Sequence, residues 1–259
     1  MSRFRDGLRD HIEPAPRRVR GVIDGVVVFD SRAALYVWET SKYPQYYVPL
    51  ADVAPGVLVD EGVERRLRRG TARMHAVLRD GQLRRSAARV FGPDAGPVAD
   101  TVRFDFDALD AWFEEDEQVF VHPRDPYVRV DALRSSAHVR VEAHGVLLAE
   151  SRSPVLVFET GLPTRYYVTR TSVQMSYLRP SATVTSCPYK GTTTDYWDVL
   201  IRDVVLADVA WSYSFPTPAL SAISGLVSFY DDKVDVLVDG VRVDAGADLT
   251  RQPGTESLD

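Results

Sequence analysis

Apolar and polar positions alternate with a period of two along much of this chain. Val139-Arg140-Val141-Glu142 alternates, His144-Gly145 marks a turn, and Val146-Leu147-Leu148-Ala149 is apolar. Val155-Leu156-Val157-Phe158 and Tyr166-Tyr167-Val168 follow at short spacing. Val234-Asp235-Val236-Leu237-Val238 ends at Asp239-Gly240, a hairpin dipeptide, and leads into Val241-Arg242-Val243. β-Branched and aromatic runs bounded by Gly, Pro and Asp predict short antiparallel strands. Two segments suggest short helices instead: the arginine-rich Gly62–Arg69, and Asp107–Glu115 with Leu109 and Trp112 on one face. The pattern predicts mostly-β domains, closed or strongly twisted, with minor helical elements.

Displaced by 120 positions, the chain matches itself. Residues 25–48 fall on 145–168 with 10 of 24 positions identical and no gap, far above chance for a random pair. Gly25 meets Gly145, Ser31-Arg32 meets Ser151-Arg152, Glu39-Thr40 meets Glu159-Thr160, and Tyr46-Tyr47-Val48 meets Tyr166-Tyr167-Val168. Beyond this stretch Trp112 is aligned with Trp211, and Val119-Phe120-Val121 with Val227-Ser228-Phe229. The chain therefore reads as two tandem copies of one small domain, at 17–132 and 137–246. The join is expected near Leu133-Arg134-Ser135-Ser136, and the polar segment 247–259 as a frayed tail.

Composition narrows the classes of function. A chain of 259 residues is long enough to bury a core without metal or disulfide staples. No apolar run approaches the roughly 20 residues that span a bilayer. Met1–Asp6 lacks the apolar region of a secretory signal, so a cytoplasmic location is the expectation. The single cysteine, Cys187, excludes an internal disulfide and a multi-cysteine zinc site. The histidines His11, His75, His122, His138 and His144 lack metal-ligand spacing, and no glycine-rich phosphate loop is present, so no cofactor or metal is expected. A net charge of −6 argues against nucleic acid as a partner. The charge is uneven, however. Arginines crowd the stretch from Arg65 to Arg89 and acids the stretch from Asp105 to Glu117. They read either as two solvated, mutually compensating faces or as an anion or nucleic-acid patch. Asp105-Phe106-Asp107 carries a weak likeness to the paired acids of metal-dependent phosphoryl transfer.

The candidate chemistry gathers in Thr185-Ser186-Cys187-Pro188-Tyr189-Lys190-Gly191. Proline is favoured in the second place of a four-residue turn, so Cys187 to Lys190 is expected to form one. A thiol and an ammonium would then share a tight corner, where a cation favours thiolate over thiol and activates a nucleophile. The chain has three lysines, Lys42, Lys190 and Lys233, against 28 arginines. A lysine beside the only cysteine therefore stands out, because an ammonium is a compact point charge that a guanidinium does not replace. The alternative is a small buried thiol at a strand end and a solvated turn lysine. Glu159 and Arg152 recur as Glu39 and Arg32, which suggests a buried ion pair, either structural or serving proton transfer. Each tyrosine pair places one ring on either face of its strand, one toward the core and one available to a pocket.

These residues carry a family resemblance. Ser151-Arg152, Glu159, Pro163, Tyr166-Tyr167, Cys187-Pro188-Tyr189-Lys190-Gly191, Tyr196-Trp197, Ala210-Trp211-Ser212-Tyr213, Pro216 and Phe229-Tyr230 resemble domain of unknown function family 427, also labelled nucleotidyltransferase-like. The resemblance covers about residues 20–244, with the first copy keeping the Ser-Arg and Glu-Thr features. It implies a small antiparallel fold of the β-tent type. Other proteins of that fold hold zinc through paired cysteines, which this chain lacks. The resemblance brings no settled activity, and no motif here supports the nucleotidyltransferase label. The first copy lacks Cys-Pro-Tyr-Lys-Gly, so thiol chemistry is expected in the second copy alone. The family pattern has an aspartate before the valine that follows the tyrosine strand. Asp52 fits it, and Ser172 departs from it.

The expectation that follows is a small-molecule site in the second domain. Cys187 would be the nucleophile, Lys190 its electrostatic activator and Glu159 a proton carrier, with Arg152, Tyr166, Tyr189 and Trp211 lining it. The alternatives are a non-catalytic ligand-binding or self-associating module, including a homo-oligomer, and anion or nucleic-acid binding through Arg65–Arg89.

Overall fold

A computed structural model describes residues 8–79 and 81–243. The expected frayed tail and the N-terminal hexapeptide lie outside the described residues. Contacts divide the chain into two units, Met1–Asp125 and Pro126–Asp259. Both are mostly β, with antiparallel pairing throughout the named strands and only short 3-10 turns beside them.

Each unit has a seven-stranded and a four-stranded sheet. In the first unit the larger sheet runs, in spatial order, Ile12–Pro14, Leu35–Val37, Gln45–Pro49, Thr101–Phe104, Gln82–Phe91, Gly70–Arg79 and Leu58–Leu67. In the second it runs Val130–Arg134, Val155–Glu159, Arg165–Val168, Val227–Phe229, Val204–Ser212, Asp195–Ile201 and Leu178–Ser181. The smaller sheets are built on Val19–Ile23 with Val26–Ser31, and on Val139–Ala143 with Val146–Ser151. Read in order, the strands correspond one to one. The repeat in the sequence is thus a repeat of topology. The second unit adds a small hairpin, Ser186–Cys187 against Gly191–Thr192.

Local sequence explains the matched entry hairpins. Asp24-Gly25 and His144-Gly145 connect their strands with both residues left-handed, at φ 51° and 73° in one turn and 48° and 74° in the other. Two-residue loops of that hand match the twist of the strands they join. A register shift follows Gly21 in the first copy and Val141 in the second, which are equivalent positions.

Alternation then sorts the larger sheet of the second unit into two faces. Tyr166, Val168, Val199, Ala210 and Val227 pack with Val139, Val141 and Val236 of the smaller sheet. Val155, Val157, Tyr167, Tyr196, Trp211 and Tyr213 form a separate cluster with Leu220 and Ile223, from the 3-10 turn Pro218–Ile223. That second face carries the candidate site.

Several expectations are corrected. Gly62–Arg69 is no helix; most of it lies in the strand Leu58–Leu67, at the edge of its sheet. That strand is largely solvated on both faces, so its residue pattern records no burial period. Asp107–Glu115 splits into the end of the 3-10 turn Phe106–Ala108 and the strand Ala111–Glu114. Leu109 and Trp112 are both buried, but the bend between turn and strand aims them inward, not a helix. Val130–Arg134 pairs with Val155–Glu159, so the second domain begins before Leu133-Arg134-Ser135-Ser136. Trp112 and Trp211 are not equivalent. Trp112 lies in a smaller sheet and Trp211 in a larger one, and Val119 and Val227 are separated in the same way. Identical residues in short, gapped segments are weaker guides than hydrogen-bonded register.

Candidate functional site

The chemistry-bearing residues converge on the second face of the larger sheet in the second domain. Glu159 ends the strand Val155–Glu159, two residues beyond Val157 and on the same face. Tyr167 stands opposite Ser228, and Ser228 opposite Trp211, so one cross-strand row carries all three. Tyr196 continues that row opposite Trp211.

Above this floor sits the hairpin. Pro188-Tyr189-Lys190 forms a three-residue loop, and Gly191 closes it at φ 95°, in the region that favours glycine. The loop is tethered from outside. The Thr217 hydroxyl donates to the Tyr189 carbonyl at 2.6 Å, and the Thr217 N–H donates to the Lys190 carbonyl at 3.1 Å. Lys190 is turned inward and 9% exposed. Its Nζ pairs with Glu159 Oε2 and lies 3.9 Å from Cys187 Sγ. Three groups able to exchange protons thus share one corner. An unpaired buried ammonium or carboxylate would be too costly, and each supplies the other's partner.

The corner opens onto a cavity of about 170 Å³, lined also by Arg165, Tyr167, Tyr196, Trp211, Tyr213 and Tyr230. A cavity near 150 Å³ is known to admit benzene, so the space suits a ligand of a few heavy atoms. Its aromatic wall is held by hydrogen bonds. Trp211 Nε1 donates to the Tyr167 hydroxyl at 3.2 Å, and the hydroxyls of Tyr196 and Tyr230 lie 2.7 Å apart. Arg165 pairs with Asp231, and its guanidinium lies 5.9 Å from the Trp211 ring centre and 5.6 Å from that of Tyr230. Burial pushes the phenols of Tyr167, Tyr213 and Tyr230 well above their ordinary range. They are therefore hydrogen-bond donors, not anions, at neutral pH.

The structure brings some of the candidate residues together and separates others. Cys187, Lys190, Glu159 and Trp211 are brought together. Arg152 is not among them; it is exposed and lies near Glu150, while Glu159 takes Lys190 as its partner. The Ser-Arg repeat has another cause. Ser151 is buried and its Oγ accepts the Ser153 N–H at 3.2 Å, and Ser31 repeats this with Ala33 at 3.1 Å. Arg32 correspondingly borders a polar depression with Arg18, Asp30 and Asp52, away from the Glu39 ion pair with Arg103. Tyr166 points into the core between the sheets, and Tyr167 lines the cavity in its place. Tyr189 stays in the loop, and its carbonyl accepts the Thr217 hydroxyl there. No sequence motif singles out Arg165, although its place two residues before Tyr167 gives the face. Asp105 pairs with Arg89 and Arg103, and Asp107 with Arg84, so these acids neutralise arginines. Among the described residues, no group of three or more His, Cys, Asp or Glu side chains is placed to hold a metal. No described helix is long and apolar enough to cross a membrane.

Fold and site together define a tandem protein of antiparallel two-sheet domains, one of which has a thiol, an ammonium and a carboxylate at an aromatic cavity. The family described as Domain of unknown function (DUF427) matches residues 11–115 and 131–240, and the chain belongs to it. None of the curated proteins matches the chain.

Proposed function

We propose that the second domain holds a small-molecule site whose reactive group is Cys187. One observation carries the proposal: Lys190, buried and ion-paired with Glu159, lies 3.9 Å from Cys187 Sγ at the edge of a cavity. Lys190 stabilises negative charge developing on sulfur, and Glu159 carries the proton. The phenols of Tyr167 and Tyr213 donate to an oxygen on the ligand. Glu159 offsets part of the lysine charge, so the activation is graded.

With one cysteine in the chain, alkylation read by intact mass reports on Cys187 alone. Alkylation of the native protein by iodoacetamide at pH 7 is expected to slow about tenfold in Lys190→Met, equivalent to about 1.4 kcal/mol. The rate in denaturant should be the same for both. Equal native rates would remove the lysine from the reading. A native thiol that reacts only on unfolding would remove the site.

A second reading is a non-catalytic ligand-binding module. It is favoured by the recurrence of the glutamate ion pair in the first domain, where no cysteine is present. In that case Cys187→Ser keeps ligand affinity, whereas under the first reading it abolishes covalent capture.

A further inference from the structure

Cross-strand register identifies what the first domain places where the second has its cavity. Val48 stands opposite Val102 and Val168 opposite Val227, so Arg103 corresponds to Ser228 and Asp105 to Tyr230. Arg89 stands opposite Arg103 and Trp211 opposite Ser228, so Arg89 corresponds to Trp211. Gln45 corresponds to Arg165, and Glu39 to Glu159, by the displacement of 120.

The Arg103 side chain extends over this face and is 13% exposed. Two of its nitrogens hydrogen-bond to different acceptors, whereas the buried Nε faces Glu39 without a hydrogen bond. Nε lies 3.4 Å from Glu39 Oε1, Nη1 pairs with Asp105 Oδ1, and Nη2 donates to Gln45 Oε1 at 3.3 Å. Glu39 is itself held by the Tyr47 hydroxyl at 2.9 Å, and Asp105 by Arg89 at 3.2 Å. Two carboxylates and an amide thus surround one planar fork, an arrangement that a point charge does not fulfil.

We infer that the first domain carries, at the place of the second domain's cavity, a guanidinium-binding site that its own Arg103 fills. In the second domain a small, covered Ser228 stands at the place of Arg103, and Lys190 from the added hairpin takes over the pairing with the repeated glutamate. One copy is closed by an internal ligand and the other is accessible. This inference does not depend on the reactivity of Cys187.

Removal of the occupant tests it. In Arg103→Ala, the full chain is expected to melt at a lower temperature than the wild type. Millimolar methylguanidinium should raise the melting temperature of that variant by more than it raises the wild type's, since a ligand of the native state alone stabilises it. Tetramethylammonium has the same charge and no N–H, and should not do so. Equal shifts from both cations, or equal shifts in variant and wild type, overturn the inference. Arg103→Lys keeps the charge and serves if the alanine variant does not fold. It should melt below the wild type, and an unchanged melting temperature would show that charge alone suffices and overturn the receptor.

Discussion

Glu114 shows how one buried charge is accommodated in this fold. Its side chain is 1% exposed, between the hydroxyls of Tyr36 and Tyr46, which donate at 2.6 and 2.7 Å, and Arg17 Nη1 at 2.6 Å. The second domain solves the same place without charge. Leu156 stands for Tyr36 and Tyr166 for Tyr46, and Val238 stands for Glu114 by its register against Val139. Removing Glu114 leaves the buried hydroxyls of Tyr36 and Tyr46 without their acceptor, at a cost of about 1–3 kcal/mol for each unsatisfied group. Removing both sides together can be close to neutral. Glu114→Val should therefore destabilise the first domain by that order, read as a lower urea midpoint at unchanged m. Tyr36→Leu/Glu114→Val should recover part of the loss. A double variant at least as unstable as the sum of the singles would sink this account.

At the scale of strands, the two copies show a compensated exchange of volume. Gly21 stands opposite Phe29, and at the equivalent places Val141 stands opposite Ala149. A Cβ on Gly21 would lie 2.2 Å from the Phe29 ring and 2.3 Å from Leu109, closer than any real contact. Overpacking a filled core typically costs about 1–3 kcal/mol. Gly21→Val should destabilise the first domain by at least this much, and Gly21→Val/Phe29→Ala should restore a good part of it. Independent, additive effects in a double-mutant cycle would show that the pair is not coupled. The hairpin that carries Lys190 obeys a different constraint. Its loop is fixed by Gly191 and Thr217, so its position depends on the segment before the Pro218–Ile223 turn as well as on its own sequence.

For the molecule as a whole, buried phenols set the alkaline limit of stability. Burial raises Tyr36, Tyr46 and Tyr47 in the first domain, and Tyr167, Tyr213 and Tyr230 in the second, above the ordinary 10.0. A folded value above the unfolded one means that stability is fully present below pH 10. It is lost as pH rises from there toward the folded values, because only the unfolded chain ionises in that window. In an alkaline titration followed at 295 nm, these phenolates should appear together with the loss of circular dichroism. Complete tyrosine ionisation in a chain that keeps its native spectrum would contradict this. The arginine-rich strands of the first domain are likewise tied to acids. Arg66 pairs with Asp94, Arg68 with Asp10, Arg73 with Asp60, and Arg84 with Asp107.

The sequence by itself determined most of the strands of the second domain, the duplication and the family, because these rest on local period, turn chemistry and identity at a fixed displacement. It also determined that Cys187 and Lys190 share a corner, since four residues with a proline leave little choice. Tertiary structure alone decided the partner of Glu159. The distance from Glu159 to Lys190 is set by strands far apart in the chain, whereas the adjacent Ser151-Arg152 motif is a turn feature that copies the look of an ion pair. The solvated edge strand at Leu58–Leu67 left no burial period to read. The arginine at 103 and the serine at 228 share no residue identity. Only the hydrogen-bonded register shows that they occupy one place, because a cavity is made by side chains that sequence comparison leaves unaligned.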